Sequence, residues 1–324
     1  MPELLNLHPA PADVRRLVIE GLSLSPKQLP AWFLYDAEGS RLFDLICQQP
    51  EYSLTATETA LLEAQAPAIA AAMGPGILLE FGAGSARKVS PLLEAIEAAG
   101  HTPTYVALDI SAEHLLQACG RLQRRHPAAA IAGICCDYSQ LQALPEHPLL
   151  SGSTHLGFFP GSSLGNFEPE AAQALLRQFR RLLGPGGTLL IGIDQPKPVA
   201  RLEAAYNDAA GVSAAFALNL LARLNRELAG DFDPAAFRYQ ARWIPQASHI
   251  EMALVSERAQ TVAAAGRRWT FAAGEALITE TSAKYAPEAF LALAAAAGWR
   301  GAQRWSDPAG DLSLHLLLQA DSEH

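Results

Sequence analysis

The chain has 324 residues, 50% of them hydrophobic and 18% charged, with a net charge of −9. That composition supports a sizeable core and argues against wholesale disorder, and the acidic balance argues against a nucleic-acid-binding surface. No apolar stretch is long enough to span a bilayer. The densest basic run, Arg121-Leu122-Gln123-Arg124-Arg125, reads as a solvated helix face. The opening Met1-Pro2-Glu3-Leu4-Leu5 lacks the basic and apolar regions of a secretory signal, so a cytoplasmic protein is expected. Cys47, Cys119, Cys135 and Cys136 form no C-x-x-C, and the nine histidines show no ligand spacing. Reduced thiols and no metal are therefore expected.

Along the chain, Asp13 to Gly21 reads as a helix with a glycine stop. From Leu29 to Asp44 and from Pro50 to Glu58, aromatics stand beside turn residues, as in a pocket wall or lid. Trp32, Phe33 and Phe43 are assigned to the core, whereas the hydroxyls of Tyr35 and Tyr52 need partners if buried. A helix from Thr57 through Ala72 ends at Gly74-Pro75-Gly76.

Ile77 to Phe81 is then a short buried strand carrying one acid, Glu80. Gly82 and Gly84 follow at alternate positions, and a helix is predicted from Val89 to Ala99. Glycines there permit backbone angles that side chains forbid and let a ligand approach the main chain. The helix start behind them offers free N–H groups. Two cofactors use such a turn. A dinucleotide would want a third glycine where Arg87 stands. An acid just before the glycines resembles the first motif of class I S-adenosylmethionine (SAM)-dependent methyltransferases.

Thr104 to Ile110 is a second strand, with Asp109 at the position where a doubly wound fold holds a ribose hydroxyl pair. Ser111 is expected to cap a helix reaching His126. Ala129 to Cys136 is a third strand, and Asp137-Tyr138 follow where a methyltransferase fold meets adenine. Leu156 to Gly161 is a fourth strand, with Ser162 to Phe167 at the sheet edge that hosts reacting centres. A helix from Pro169 ends at Gly184-Pro185-Gly186-Gly187, and Thr188 to Asp194 is a fifth strand. Alternation then breaks at about Gln195. Tyr206 to Leu228 reads as one long helix, and Phe237 to Tyr285 alternates like antiparallel strands. A helix from Pro287 to Ala297 and strands over Gly301 to Trp305 and Leu312 to Gln319 return as an antiparallel edge. The fold class expected is α/β: a Rossmann-like, doubly wound seven-stranded sheet with a second α+β substrate-binding domain. The sheet domain is expected over 57–194 plus 286–320, and the second over 1–56 plus 195–285.

Several segments carry a narrower resemblance. They are Tyr35-Asp36-x-x-Gly39-Ser40-x-Leu42-Phe43-Asp44, Pro50-Glu51-Tyr52, Gly82-x-Gly84 with Lys88, and Gly161-Ser162-Ser163-Leu164-Gly165-Asn166. Further on come Ala205-Tyr206-Asn207-Asp208-Ala209-Ala210-Gly211-Val212, Ile250-Glu251-Met252 and Thr279-Glu280-Thr281-Ser282-x-Lys284-Tyr285. On these the chain resembles the histidine-specific SAM-dependent methyltransferases, the L-histidine Nα-methyltransferases of ergothioneine biosynthesis. The resemblance implies a class I methyltransferase, monomeric, with S-adenosyl-L-methionine as donor and S-adenosyl-L-homocysteine (SAH) as product. The implied substrate is L-histidine and the product its trimethylated betaine, hercynine.

On the cofactor side the resemblance carries over Gly82, Lys88, Asp109, Asp137 and Tyr138, beside Glu80 and Gly84 from the turn itself. It implies that Asn166 and Tyr206 hold the substrate carboxylate, with Asn166 near the amine. It gives Tyr52, Glu280 and Ser282 to the imidazole, Met252 to the side of the ring, and Gly161 to the substrate set. Tyr35 reaches the same region and completes the candidate catalytic set with Asn166 and Tyr206. No histidine or lysine stands out as a base, so proton loss to water or a pocket carbonyl is expected. The small Ser162, Ser163 and Gly165 suit a site that must accept growing bulk. Glu280 and Ser282, two apart on a strand, should share a face. A phenyl ring would leave Glu280 unpaired, which predicts rejection of phenylalanine. Three other readings compete: an N-methyltransferase of an indole amino acid such as tryptophan, disfavoured by Glu280, Ser282 and Met252; an NAD-dependent oxidoreductase, disfavoured by Arg87; and a non-catalytic cofactor-binding regulatory module.

Overall fold

The computed structural model describes residues 3–7 and 12–320. The chain forms two compact units: Met1–His8, Leu54–Pro196 and Lys284–His324 make the first, Pro9–Ser53 and Lys197–Ala283 the second. Elements are numbered along the whole chain.

The first unit carries the strands β1 (Glu3–Asn6), β3 (Ile77–Phe81), β4 (Thr104–Asp109), β5 (Ala130–Cys135), β6 (His155–Phe159), β7 (Thr188–Asp194), β13 (Trp299–Ser306) and β14 (Leu312–Gln319). Its helices are α3 (Ser53–Met73), α4 (Ser90–Ala98), α5 (Ala112–Arg125), α6 (Pro169–Leu183) and α9 (Pro287–Ala296). The strands form one sheet in the order β1-β5-β4-β3-β6-β7-β14-β13. Pairing is parallel from β1 to β7, and β14 runs antiparallel to β7 and β13. This is the class I methyltransferase sheet of seven strands, with β1 added beside β5. No strand was expected so early, because Leu4-Leu5 is too short an apolar run to signal one; Leu4 packs over Gly133 of β5.

Every residue of β3 and β7 is buried, as in a sheet covered on both faces. The core gathers Leu79, Phe81, Phe159, Phe179 and Trp299. Phe81 stacks on Phe179 with centroids 4.2 Å apart, and the Trp299 indole N–H donates to the Leu176 carbonyl at 2.8 Å. Each such ring contributes about 1.5–3 kcal/mol by leaving water. The chain order reverses between β3 and β6, and in open α/β sheets the crevice at that point takes the ligand.

Two local readings change. α3 starts at Ser53, so Ser53 to Ala56 belong to a helix and not to a lid. Ser111 precedes α5 in extended conformation but makes no side-chain cap; its own N–H donates to Asp109 Oδ1 at 3.0 Å.

The second unit holds α1 (Ala12–Leu22), β2 (Lys27–Gln28), α2 (Ala37–Ile46), α7 (Val199–Ala205), α8 (Val212–Leu228), β8 (Phe237–Ile244), β9 (His249–Ser256), β10 (Gln260–Ala264), β11 (Arg267–Phe271) and β12 (Ala276–Ala283). Four strands form a sheet in the order β2-β12-β9-β8, and β10-β11 is a separate hairpin. Gly21 lies inside α1 and is not its stop; a Cβ there would sit 2.2 Å from the Gln28 carbonyl oxygen.

The Tyr35-Asp36-x-x-Gly39 segment is first of all a folding device. Asp36 caps α2, accepting the Gly39 N–H at 2.8 Å. It also accepts from Asn219 at 2.8 Å and Arg226 at 2.6 Å, which ties α2 to α8. Burial alone would raise the Asp36 pKa, but these bonds outweigh it and hold the carboxyl below its ordinary value.

The helix expected from Tyr206 to Leu228 starts six residues later, and a separate helix precedes it. α7 ends at Ala205 with Tyr206 as its C-cap, and α8 starts at Val212 after Gly211, whose φ is 73°. Asp208 accepts the N–H groups of Val212 and Ser213, both at 2.7 Å. These caps satisfy the free N–H groups of a new helix, so the chain turns instead of continuing.

Cys119, Cys135 and Cys136 are buried free thiols, and burial pushes Cys135 up to about 11 and the other two to about 12. Among the described residues no helix is long and apolar enough to cross a membrane, and no group of three metal-ligand side chains converges.

Candidate active site

The turn after β3 is folded against the end of β4. Gly82 and Gly84 take φ of 70° and 52°, in the left-handed region that favours glycine. The N–H groups of Gly82 and Ala83 both reach the Leu108 carbonyl, and the Gly84 N–H donates to Asp109 Oδ2 at 2.8 Å. A Cβ on Gly84 would meet nothing within 4 Å, so the turn has an open face.

Asp109 ends β4 with one N–H on each oxygen, from Gly84 and Ser111. Each oxygen keeps a lone pair for a hydroxyl. Asp137 follows β5, and its Oδ1 accepts the Ser139 N–H and hydroxyl at 2.9 and 2.6 Å. Its Oδ2 offers further lone pairs to an amine. The Tyr138 ring stands edge-on to Phe81 and Phe159, with its hydroxyl 3.4 Å from where a Gly82 Cβ would lie. Burial first, then the nearby Asp109 and Asp137 charges, raises its phenol pKa and keeps it neutral.

Glu80 behaves differently. It is 1% exposed, and its carboxyl accepts the Tyr105 hydroxyl at 2.5 Å. Burial is the main cause that pushes its pKa up to about 8, against the lowering pull of Tyr105 and Lys88. So little exposed surface leaves it almost no face to offer a ligand, and it stays protonated at neutral pH.

At the end of β6, Gly161 and Ser162 have φ of 80° and 55°, and a tight 3-10 turn over Ser163–Asn166 follows. A serine there is strained, and the surroundings hold it. Ser162 Oγ accepts the Asp194 N–H at 2.9 Å, and the Ser163 hydroxyl donates to the Pro160 carbonyl at 3.1 Å. The Gly161 N–H meets both oxygens of Glu58 at 2.9 Å. Glu58 also pairs with Lys88 at 2.7 Å. Asn166 thus ends a turn pinned at several points. Sequence reasoning missed Glu58, although it lies on the buried stripe Leu54-Glu58-Leu61-Leu62 of α3. An acid on an apolar stripe was the available signal.

In the second unit the candidate residues collect on one side of the β9–β12 pair. Glu280 lies opposite Met252 and Ser282 opposite Ile250, with a register shift between Ile278 and Glu280. Thr279 is the extra residue, and its hydroxyl donates to the Met252 carbonyl at 3.1 Å. This bulge brings Glu280, Ser282, Met252 and Ile250 onto one face. Met252 packs with Leu202, Tyr206 and Tyr239. The Tyr206 and Ser282 hydroxyls are 2.8 Å apart, and the Tyr239 hydroxyl donates to the Tyr206 carbonyl at 2.8 Å. Tyr52 stands edge-on to Tyr206 at 5.7 Å, and Tyr35 edge-on to Phe43 and Phe216. Burial drives the Tyr52 phenol well up, helped by Tyr206, Cys47, Tyr35 and the Glu280 charge. Tyr239, which holds Tyr206 in place, was missed because it lies on a strand far from any quoted motif.

The sequence model of the family described as "Histidine-specific methyltransferase, SAM-dependent" matches residues 14–319. The chain belongs to this family. It is 40% identical over 312 residues to a "Histidine N-alpha-methyltransferase" of Mycolicibacterium smegmatis, covering 94% of this chain and 95% of that one. A protein of the same name from Mycobacterium tuberculosis is 38% identical over 309 residues, again covering 94% and 95%. "Ergothioneine biosynthesis protein 1" of Neurospora crassa is 29% identical over 95% of this chain, which spans 36% of that longer protein.

In this SAM-dependent methyltransferase the strand-end carboxylates Asp109 and Asp137 keep acceptor sites of the kind a diol and an amine need, and the turn at Gly84 is open.

Proposed function

We propose that the protein transfers methyl groups from SAM to the α-amino group of L-histidine, three in succession, giving hercynine in ergothioneine biosynthesis. The observation that carries this reading is the Thr279 bulge. It turns a carboxylate, Glu280, and a hydroxyl, Ser282, to the same side as the Met252 side chain and beside Tyr206. That is a surface for a flat ring bearing a polar N–H, and an indole or phenyl ring would leave part of it unpaired. The sheet unit serves the cofactor and the second unit serves the ring; the enzyme works as a monomer in the cytoplasm, in keeping with its free, buried thiols.

The cofactor supplies a sulfonium methyl, open to in-line displacement by a neutral amine, with a neutral leaving group. The chain's residues have to present that amine unprotonated and aligned at roughly 3 Å. Asn166, on its pinned turn, holds the α-carboxylate and lies near the amine. Tyr206, fixed by Tyr239, shares the carboxylate. Glu280 accepts the imidazole N–H, and Ser282 serves the second nitrogen while bonded to Tyr206. Tyr52 and Tyr35 wall the region and steady the growing cation with their faces, at roughly 0.5–2 kcal/mol each. The α-ammonium proton leaves to water.

Mass spectrometry of the purified protein with SAM and each of histidine, tryptophan, tyrosine and phenylalanine tests the proposal. The expected result is a gain of three methyls on histidine alone. Methylation of tryptophan in preference to histidine overturns the ring site. Cofactor binding without any methyl transfer overturns the enzyme reading in favour of a regulatory module.

A further inference from the structure

A carboxylate that no motif points to is buried in the first unit. Glu58 is 0% exposed, and removing a charge from water costs several kcal/mol unless it is well paired. It has two partners, one of them cationic. Oε2 meets the Lys88 ammonium at 2.7 Å, and both oxygens accept the Gly161 N–H at 2.9 Å. The sheet makes room for it at Gly192 on β7, where a Cβ would fall 2.0 Å from Oε1. Lys88 belongs to the glycine turn, and Gly161 opens the turn that ends at Asn166. Their closeness does not depend on Glu58 alone: the ammonium lies 3.1 Å from where a Gly161 Cβ would be.

We propose that Glu58 is a positioning residue that couples the two halves of the reaction: it aims Lys88 at the carboxylate of the cofactor's methionine part and clamps the Gly161 amide that sets the Asn166 turn. The role rests on the function proposed above, on the cofactor contact that the resemblance implies for Lys88, and on the carboxylate contact given to Asn166. A lysine is a point charge on a flexible stem with three donors. Committing one donor to Glu58 leaves the other two with defined directions. The same carboxylate fixes the Gly161 amide immediately before Ser162, the residue whose left-handed backbone is strained. One group thus sets both cofactor affinity and the place of the amino acid, without touching either.

The test is a cycle of full-length variants, Glu58→Gln, Lys88→Met and the pair together. SAH affinity is measured by calorimetry and histidine KM by steady-state kinetics. Glutamine keeps the shape but loses the charge on Lys88 and one acceptor for Gly161. In Glu58→Gln, SAH Kd and histidine KM should each rise about tenfold, equivalent to about 1.4 kcal/mol. On the Lys88→Met background the same change should add no further loss of SAH affinity, yet still raise histidine KM. Unchanged constants in a folded Glu58→Gln protein overturn the proposal, as do fully additive effects on SAH. Should Glu58→Gln not fold, Gly192→Ala displaces the carboxylate without removing it and should raise both constants; wild-type values in that variant overturn the proposal equally. Wild-type histidine turnover, run alongside, separates failure of the proposed function from failure of this role, because the SAH arm needs no substrate.

Discussion

Glu80 keeps its proton at neutral pH because burial outweighs the pull of Tyr105 and Lys88, lifting its pKa to about 8. Unfolded, the same group ionises near an ordinary 4.5. Between those values the folded state holds a proton that the unfolded state has lost, so stability falls as pH rises through the window. Replacing Glu80 by Gln should remove that slope. The difference in unfolding free energy between wild type and Glu80→Gln, followed by urea titration, should grow in favour of the variant by up to ~1.4 kcal/mol per pH unit inside the window and stay flat outside it. On the proposed function Glu280 has the opposite assignment, a carboxylate that accepts the imidazole N–H. Glu280→Ala combined with Met252→Val should widen and neutralise its surroundings. The ratio of kcat/KM for histidine over tryptophan should then drop by the equivalent of about 1–3 kcal/mol. An unchanged ratio would remove Glu280 from the specificity argument.

Gly39 shows how an element can depend on one missing methyl. A Cβ there would lie 1.7 Å from the Leu34 carbonyl oxygen, at the turn where Asp36 caps α2 and reaches α8. Gly39→Ala should cost about 3 kcal/mol or more in denaturant unfolding, since backbone, not a flexible side chain, is what it meets. The parallel strands were legible because buried strands are continuous apolar runs bounded by glycine and proline, and β7 was read to the residue. β1 was not, since four residues with two leucines carry no pattern until β5 is beside them. The later start of α8 was overlooked because Ala209 and Ala210 suit a helix. The decisive residues were Asp208 and Gly211, a cap and a left-handed glycine, and they were present to be read. The Thr279 bulge left no such mark: an extra residue on a strand shows only when the partner strand is known.

Across the whole molecule the chain passes between its two compact units four times, after His8, Ser53, Pro196 and Ala283. The last passage ends on Lys284, which pairs with Asp194 at 2.8 Å with side chains 0% and 4% exposed. The Tyr285 N–H then donates to the Asp194 carbonyl at 3.1 Å. Breaking a buried pair leaves an uncompensated charge, so Lys284→Met should cost about 3–5 kcal/mol. Calorimetric unfolding would measure it; a loss below 1 kcal/mol, roughly the value of an exposed pair, would deny the anchor. Links of this kind join Asp194 to Lys284 and Glu58 to Gly161 across long stretches of chain. Local pattern contains nothing about them, which is why the glycine turn and strand-end acids were legible and the groups supporting them were not.

Gly192 and Glu58 also make a statement about descent. The two positions occupy one volume, so a side chain at the first displaces the carboxylate at the second by steric necessity. Among relatives they should therefore be inherited as a pair. Lineages that gained alanine or serine at the first would have surrendered glutamate at the second, and with it the lysine that follows the glycine turn. A family tree on which the three changes fall on the same branches would record, in substitutions, the coupling the fold imposes.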